Sequence, residues 1–350
     1  MSVGTEAEAG AELARSLDES LAKILTTEAL LAATAADRAL DAAVLGTIRE
    51  LGIDLVGLPE AAGGLGIGVG ERARLAAVCG RRLVPAALRD GAFGLAPALA
   101  ALAAAGEGGE RVEALLAAAA AGELAGAVAL AAEDGAPMAV VPAGATVLAL
   151  LGAAEVALFE LGDGVAVEPF LALDSGQGLA RVDLADADPV ATASGAAAAT
   201  VRREYELTLI CETFGAGERC LELAVSYAGQ RKQFGQEIAR FQAVAHQLAE
   251  AKLGVEIGRS GIGRYVDLTA EDEAGDAALD DHLGVLRHAL PGFAREACET
   301  SIQVHGGIGF SWELGLHLFY RRILADQYLL GGEGRSAESV GAAYLERRSR

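Results

Sequence analysis

The order of sequence textures along the chain is the feature that most limits its fold. Helical spacing of apolar residues dominates up to about residue 124 and again from about residue 200, whereas short alternating or valine-rich segments fill the stretch between. This order lacks the regular alternation of strands and helices that indicates a doubly wound sheet. We therefore predict a mainly α protein with a small β-domain. Its expected parts are an N-terminal helical domain (1–124), an abbreviated middle β-domain (125–199) and a C-terminal helical bundle (200–350).

Individual elements follow from the same patterns. Apolar spacing predicts an amphipathic helix over 37–52, with Gly52 as its C-terminal stop, and further helical structure over 71–123. In the C-terminal part it predicts one long helix through 209–225 and a second over 241–268. The predicted strands are the segments AVALA, MAVVPA, TVLALL, VALFEL, VAVEPFLAL and ARVDLA.

The charge balance argues against two classes of partner. The 350-residue chain has a formal net charge of −21 and a pI of about 4.6, so nucleic acid and anionic membranes would repel it at long range. The alanine-rich stretch 92–132 is the best candidate for a membrane span, but charged residues interrupt it before about 20 apolar residues accumulate. We expect neither nucleic acid nor a membrane as a partner.

The cysteines and the opening segment bear on location. Cys79, Cys211, Cys220 and Cys298 form neither a CxxC pair nor a zinc-ligand spacing, which favours buried thiols in a reducing compartment and no metal site. The opening segment is polar and acidic and lacks the basic and apolar regions of a secretory signal. We expect a cytoplasmic protein without a disulfide framework.

The segment YAGQRKQFG over 227–235, followed by FQAVAHQLAE over 241–250, is the first of two that suit a dinucleotide diphosphate. Arg231 offers a planar fork of donors that matches a pyrophosphate. Phe234 can lie against a ring of such a dinucleotide. An RKQFG turn by itself is more often a surface loop that ends a helix.

The second segment is QVHGGIGF over 303–310, followed by Trp-Glu and later by Tyr-Arg-Arg. Gly306 and Gly307 remove side chains, so backbone amides can approach a phosphate. Gln303 can donate to or accept from an adenosine edge. By itself a GGxGF segment is a tight turn, and only the occurrence of both segments in this order makes the pattern specific.

Together these segments resemble the acyl-CoA dehydrogenase family. The segments LGIDLVGLPEAAGGLG over 51–66 and CGRRL over 79–83 also resemble that family's first helical domain, so the likeness runs nearly from end to end. The resemblance implies FAD as the cofactor, with its ADP half received here from a neighbouring subunit, and therefore an oligomer. The cofactor-binding residues that it implies are Arg231, Gln233, Phe234, Gln303, Gly306 and Gly307.

The resemblance also implies a general base that removes the α-proton of the substrate while the flavin takes the β-hydride. At the usual family position, after the second segment, this chain has Leu330, and Glu333 lies three residues further on. At the other family position, on the first helix of the C-terminal bundle, it has Tyr205 between Glu204 and Glu206. A shift of one residue on a helix rotates the side chain by about 100°.

Other candidate groups leave the catalytic residue unassigned. Glu206 is one possible displaced base, and Glu212, about two turns beyond Tyr205, is another. His246 and His305 have no patterned Ser, Cys or metal-ligand partner, so we expect both to be structural.

The middle region departs from the family as well. Flavin-binding members have a TExxAGSD-like loop and a Trp-Ile-Thr-Asn-like strand beside the isoalloxazine ring. Here the stretch 129–135 leads directly to Met138, and the single tryptophan, Trp312, lies elsewhere. We expect a chain that keeps the site for the ADP half and lacks an isoalloxazine pocket of its own.

Three hypotheses for function follow. The leading one is a subunit of a heteromeric, FAD-dependent acyl-CoA dehydrogenase, expected as a heterotetramer, that introduces an α,β double bond into a bulky acyl-CoA such as a sterol side-chain thioester. In it, a second subunit brings the base. The second hypothesis is a complete homomeric dehydrogenase with Glu206 or Glu212 as its base. The third is a non-catalytic scaffold of the same fold. The acyl chain and the electron acceptor stay open.

Overall fold

The computed structural model describes residues 3–35, 42–131, 136–162, 164–170, 178–271 and 275–349. Its helices are α1 (Val3–Ile24), α2 (Thr27–Ala35), α3 (Ala42–Glu50), α4 (Val69–Arg82), α5 (Ala86–Asp90), α6 (Ala96–Ala104), α7 (Gly109–Ala120), α8 (Ala196–Gln230), α9 (Gln242–Ala270), α10 (Asp276–His305), α11 (Leu316–Leu329) and α12 (Glu333–Ser349). Its strands are β1 (Gly126–Leu130), β2 (Met138–Val140), β3 (Val147–Leu151), β4 (Glu155–Glu160), β5 (Ala166–Pro169), β6 (Leu179–Asp183), β7 (Ala191–Ser194), β8 (Lys232–Gln233) and β9 (Gln236–Glu237).

The predicted fold class, mainly α with a small β-domain, is confirmed. Strands β1 to β7 all lie within residues 126–194, and the long helices predicted through 209–225 and 241–268 are α8 and α9. Strand β7 was not predicted, because its sequence ATAS has no large apolar residue. The domain boundaries at 124/125 and 199/200 stay a prediction, as does the part of the helix over 37–52 that lies outside the described residues.

The chain divides into two compact units that interleave along the sequence. A helical unit comprises Met1–Leu31, Ala73–Leu83 and Leu209–Arg350, and a sheet-containing unit comprises Ala32–Arg72 and Val84–Thr208. Three helices, α2, α4 and α8, each contribute residues to both units. Sequence order and spatial grouping therefore differ in this chain.

The sheet-containing unit is built on a seven-stranded mixed sheet in the order β5-β6-β2-β1-β3-β4-β7. Strands β1 and β3 are parallel, with Gly126 opposite Val147, and every other pairing in this sheet is antiparallel. The residues packed in its core are Ala127, Ala129, Ala139, Leu148, Ala157, Phe159 and Val182. In β1 the residues on both faces are buried, which accounts for its continuous apolar sequence.

A continuous helical segment, Ala86–Ala104, contains a π-helical turn at Gly91–Leu95 and lies in the same unit as the sheet. An added Cβ at Gly94 would stand 3.0 Å from Val128 Cγ1, so the missing side chain permits close contact with β1. By length and composition this segment is, within the described residues, the one helix apolar enough to cross a membrane. About 72% of its apolar window is buried inside the protein, as in a core helix.

The helical unit depends on close helix contacts at glycine. An added Cβ at Gly80 of α4 would stand 1.8 Å from the Glu212 carbonyl oxygen of α8, and one at Gly217 of α8 would stand 2.5 Å from Ala294 Cα of α10. Only glycine allows these backbones to approach so closely. The core between α8, α10 and α11 is formed by Ala216, Cys220, Ala294, Cys298, Leu316 and Ile323.

Candidate functional site

The first motif, the segment 227–235, forms the end of α8 and a short hairpin. The Arg231 N–H donates to the Tyr227 carbonyl at 2.8 Å, and the Ile238 N–H donates to the Arg231 carbonyl at 2.8 Å. Phe234 (φ 51°) and Gly235 (φ 84°) are the two turn residues between β8 and β9. Positive φ at both positions is typical of a type I′ turn, and a phenylalanine holds it at a cost of about 1–2 kcal/mol.

The Phe234 side chain at the tip of this hairpin is 94% exposed. Its ring meets that of Phe241 edge to face, with the centroids 6.1 Å apart. Gln233 is also exposed. Backbone strain of this kind is concentrated at functional sites, which makes the hairpin tip a candidate binding surface.

The second motif, the segment 303–310, forms the end of α10 and a 3₁₀ turn over Gly306–Phe310. Gly306 has φ 64° and ψ −136°, a backbone conformation essentially restricted to glycine. An added Cβ at Gly309 would stand 2.2 Å from the Ile302 carbonyl oxygen, so that glycine allows the turn to fold back on α10. Gln303 is exposed on the last turn of α10.

The structure brings the two motifs together. The Tyr227 ring near the end of α8 stacks on the His305 ring at the end of α10, with the centroids 4.4 Å apart and the planes 25° apart. Ala224, Ala228 and Val304 form a buried cluster beneath them, against which the residues that follow the hairpin pack. Residues far apart in sequence, Arg231 and Gly306 among them, thus extend from one shared core.

The exposed groups at this place fit the ADP half of FAD. An added Cβ at Gly306 or Gly307 would meet no atom within 4 Å, so the space beside both backbone segments is open. Arg231 is exposed, and among the described residues no carboxylate forms an ion pair with it. The binding roles predicted for Arg231, Gln233, Phe234, Gln303, Gly306 and Gly307 stay a prediction.

An aromatic cluster beside the second motif was not anticipated from the sequence. Phe310 is 80% exposed, and the Trp312 ring stacks on that of His317 with the centroids 4.6 Å apart. The Arg321 guanidinium lies 5.9 Å from the Trp312 ring. Burial, together with the charge of Arg321, lowers the pKa of His317. The spacing of His317 and Arg321, one helical turn apart, was the available signal.

The two positions at which the family carries its general base are occupied here by an apolar residue, Leu330, and by a hydrogen-bonded tyrosine, Tyr205. Leu330, just after α11, is 5% exposed, and it precedes two glycines with positive φ. Tyr205 is 1% exposed, and its hydroxyl donates to Asp90 Oδ1 at 2.9 Å. The same carboxylate oxygen receives the Arg89 Nε–H at 2.7 Å. Neither position presents a carboxylate.

The nearby glutamates in the sheet-containing unit are paired with arginines. Glu204 is held by Arg72 at 2.5 Å, and Glu206 by Arg202 at 3.3 Å. Burial raises the pKa of Glu204, although Arg72 acts in the opposite direction. A partly buried glutamate with a raised pKa has one property of a general base.

Glu212, the other candidate base, lies in the helical unit. Its side chain is fully buried and accepts from Arg322 Nη1 of α11 at 2.7 Å. The adjacent Thr213 hydroxyl donates to the Leu209 carbonyl at 2.8 Å and lies 3.3 Å from Asp326. This is the arrangement of a structural ion pair between packed helices.

The stretch in which the loss of the flavin loop was predicted is described in part. Ala129 and Leu130 lie in β1 and Met138 in β2, while residues 132–135 lie outside the described residues. Among the described residues no group of three or more His, Cys, Asp or Glu side chains is placed to hold a metal ion.

Comparisons with known proteins found related sequences and similar folds. Residues 195–345 match the family profile described as acyl-CoA dehydrogenase, C-terminal domain. The acyl-CoA dehydrogenase IpdE2 of Mycobacterium tuberculosis is 30% identical over 163 residues, which are 47% of this chain and 47% of that protein. The alignment therefore spans less than half of that relative's length.

Two solved structures share the fold over nearly the whole chain. A variant of the Tcur3481-Tcur3483 steroid ACAD matches with a TM-score of 0.80 and 23% identity over 99% of this chain and 100% of that one. The ChsE4-ChsE5 complex from Mycobacterium tuberculosis matches with a TM-score of 0.78 and 21% identity, over 97% of this chain and 98% of that one. The match over residues 195–345 and the shared fold confirm the resemblance to the acyl-CoA dehydrogenase family that the motifs indicated.

Proposed function

We propose that this chain is a subunit of a heteromeric, FAD-dependent acyl-CoA dehydrogenase in which a different subunit supplies the catalytic base. The proposed reaction introduces an α,β double bond into an acyl-CoA thioester. In this arrangement the chain completes the cofactor site of its partner through the face that carries Arg231 and Gly306.

One observation carries the proposal: neither family position for the base presents a carboxylate. Leu330 is apolar and buried, and the hydroxyl of buried Tyr205 is committed to Asp90. α-Proton removal needs a base within hydrogen-bond reach of the substrate carbon. A chain without such a group at either position needs it from another subunit.

The binding face supports a role in cofactor binding that does not require a base. When bound, FAD supplies the acceptor for the β-hydride. Arg231 and the open backbone at Gly306 and Gly307 offer charged and amide donors for its diphosphate, and Gln303 offers an amide for the adenosine. Phe234 at the exposed hairpin tip reaches away from the core of its own subunit.

The solved neighbours support the identity of partner and substrate. One is named a complex of ChsE4 with ChsE5, and the other is a Tcur3481-Tcur3483 steroid ACAD. We therefore propose a second acyl-CoA dehydrogenase subunit as the partner, a heterotetramer as the assembly, and the CoA thioester of a steroid or similarly bulky acid as the substrate.

Acceptor reduction with a steroid acyl-CoA tests the missing base. The chain is purified alone and also co-expressed with a candidate partner that carries a glutamate at the family position. Loss of a positioned base commonly costs about 10²–10⁴ in rate, so we expect turnover from the pair and a rate lower by at least that factor from the lone chain. Equal turnover by the lone chain contradicts the proposal, and Gln variants of Glu204, Glu206 and Glu212 then locate the base.

Flavin retention tests the proposed cofactor face in the same pair. Arg231→Ala removes charged hydrogen bonds worth about 1.5–3 kcal/mol, which corresponds to a weakening of about 10- to 150-fold. Arg240→Ala is the matched control, since Arg240 lies on the same segment and pairs with Glu237 at 2.6 Å. Unchanged flavin retention in the Arg231 variant contradicts the assignment, and a colourless pair favours a non-catalytic scaffold.

A further inference from the structure

His305 is a buried histidine whose two contacts both bear on the candidate cofactor face. Its side chain is 6% exposed, and its Nδ1 lies 2.7 Å from the Ser301 carbonyl oxygen. Because a carbonyl can only accept, Nδ1 carries the proton of this hydrogen bond. That bond fixes the plane of the ring, which stacks on Tyr227 at a centroid distance of 4.4 Å.

Tyr227 connects this stack to the first motif. Its carbonyl oxygen accepts the Arg231 N–H at 2.8 Å, and the Arg231 carbonyl in turn accepts the Ile238 N–H that closes the hairpin. His305 itself directly precedes Gly306, the first residue of the 3₁₀ turn in the second motif. The stack of Tyr227 on His305 therefore joins the residues that hold the Arg231 hairpin to those that hold the Gly306–Gly307 turn.

We infer that His305 is a positioning residue that sets the Arg231 hairpin relative to the Gly306–Gly307 turn. The inference rests on the proposed function only for the identity of the ligand. An aliphatic side chain of similar size would fill the space, but it would provide neither a flat face for Tyr227 nor a directional donor for the Ser301 carbonyl. The role expected from sequence, a structural histidine, thereby acquires a specific task at the binding face.

Hydrogen exchange of the lone chain tests the positioning without any cofactor or partner. His305→Leu removes a ring stack worth about 0.5–1.5 kcal/mol, so amide exchange across 227–241 should accelerate by about two- to tenfold relative to the segment 255–268 of α9. Tyr227→Leu breaks the same stack from the other side and should give the same local change. Tyr227→Phe keeps the ring and should give none.

Ile323→Val is the control for general loosening. Ile323 is fully buried in the core between α8, α10 and α11, a cluster that contains neither ring and no residue of 227–241. We expect this variant to lose about 0.5–1.5 kcal/mol of stability without a selective acceleration of exchange across 227–241. Exchange across 227–241 that rises equally in His305→Leu and Ile323→Val overturns the inference, as does a selective change in Tyr227→Phe.

A double-mutant cycle in the flavin-loaded pair tests the consequence for binding. We expect Arg231→Ala to weaken FAD retention by about tenfold or more alone, but by less than about threefold when His305→Leu is already present. His305→Phe, which keeps the ring and loses the donor, should fall between the two. Additive effects overturn the positioning role. No effect of Arg231→Ala in either background refutes the proposed function instead, while the exchange result still decides the positioning.

Discussion

Replacing Glu212 by leucine tests whether its carboxylate is structural. The Glu212 side chain is fully buried, and the Arg322 side chain that donates to it is 3% exposed. In Glu212→Leu the Arg322 guanidinium keeps its charge in a place from which water is excluded. Removing one partner of a buried ion pair costs about 3–5 kcal/mol, and we expect a loss of that size in the free energy of unfolding.

The matched double variant separates the pair from the packing. Replacing both charges of a buried pair with apolar groups of similar volume is often neutral or stabilising, by about 1–4 kcal/mol. Glu212→Leu combined with Arg322→Met should therefore recover most of the stability that Glu212→Leu loses. Such recovery would show that the buried charge left on Arg322, rather than a cavity, causes the loss of stability in Glu212→Leu.

Urea unfolding followed by the fluorescence of Trp312 is a suitable assay, because this single tryptophan lies in the same helical unit as Glu212. Glu250→Leu, at an exposed position on α9, should stay within about 0.5 kcal/mol of the wild type. Two results would refute the interpretation of Glu212 as half of a structural ion pair and make it a candidate base again. One is a loss of unfolding free energy in Glu212→Leu no larger than that of the Glu250→Leu control, and the other is a double variant no more stable than Glu212→Leu.

Three further changes test the packing and the charges. Gly80→Ala should lower the free energy of unfolding by about 1–3 kcal/mol, because its Cβ would stand 1.8 Å from the Glu212 carbonyl oxygen. Gly263→Ala, which has open space around the added Cβ, should raise that free energy by about 0.5–1 kcal/mol. Urea titrations of the two variants compare these effects. Tyr205→Phe leaves buried Asp90 without one donor and should cost about 1–3 kcal/mol in the same titration, and a loss below 0.5 kcal/mol would contradict the contact. Burial raises the pKa of Asp18, but the hydrogen bond and charge of Arg82 outweigh it, so the pKa lies below its ordinary value of 3.8. The contribution of Asp18 to the free energy of unfolding is therefore complete above pH 3.8 and is lost as the pH falls through the lower pKa of the folded state. Below about pH 4, the free energy of unfolding of Asp18→Asn should therefore fall less steeply with decreasing pH than that of the wild type.

Local sequence patterns were sufficient for the order of helical, β and helical regions and for the long helices α8 and α9. They did not predict α10 as a single helix, and it runs through Pro291 and Gly292, two residues that ordinarily argue against a continuous helix. Leu283, Leu286, Leu290 and Ala294 are buried at helical spacing along it, so tertiary packing outweighs the proline. The short strand β7 escaped for the same reason, since its pairing with β4 rather than its composition defines it.

The candidate site was predictable as two motifs and not as an arrangement. Arg231, Phe234 and the paired glycines were recognisable from residue type and order. The stack of Tyr227 on His305 joins residues far apart in sequence, as do the Tyr205–Asp90 hydrogen bond, 115 residues apart, and the Glu212–Arg322 pair, 110 residues apart. Such contacts depend on the packing of whole helices, which no local pattern records.

Native mass spectrometry tests the central claim, that this chain needs a partner to hold FAD and to turn over acyl-CoA, in one measurement. The lone chain and the co-expressed pair are sprayed under the same conditions, and the masses report both subunit composition and bound flavin. We expect a lone chain without FAD and a mixed assembly that contains both subunits and FAD. One FAD bound to each copy of the lone chain, with no mixed assembly formed by any candidate partner, would contradict it.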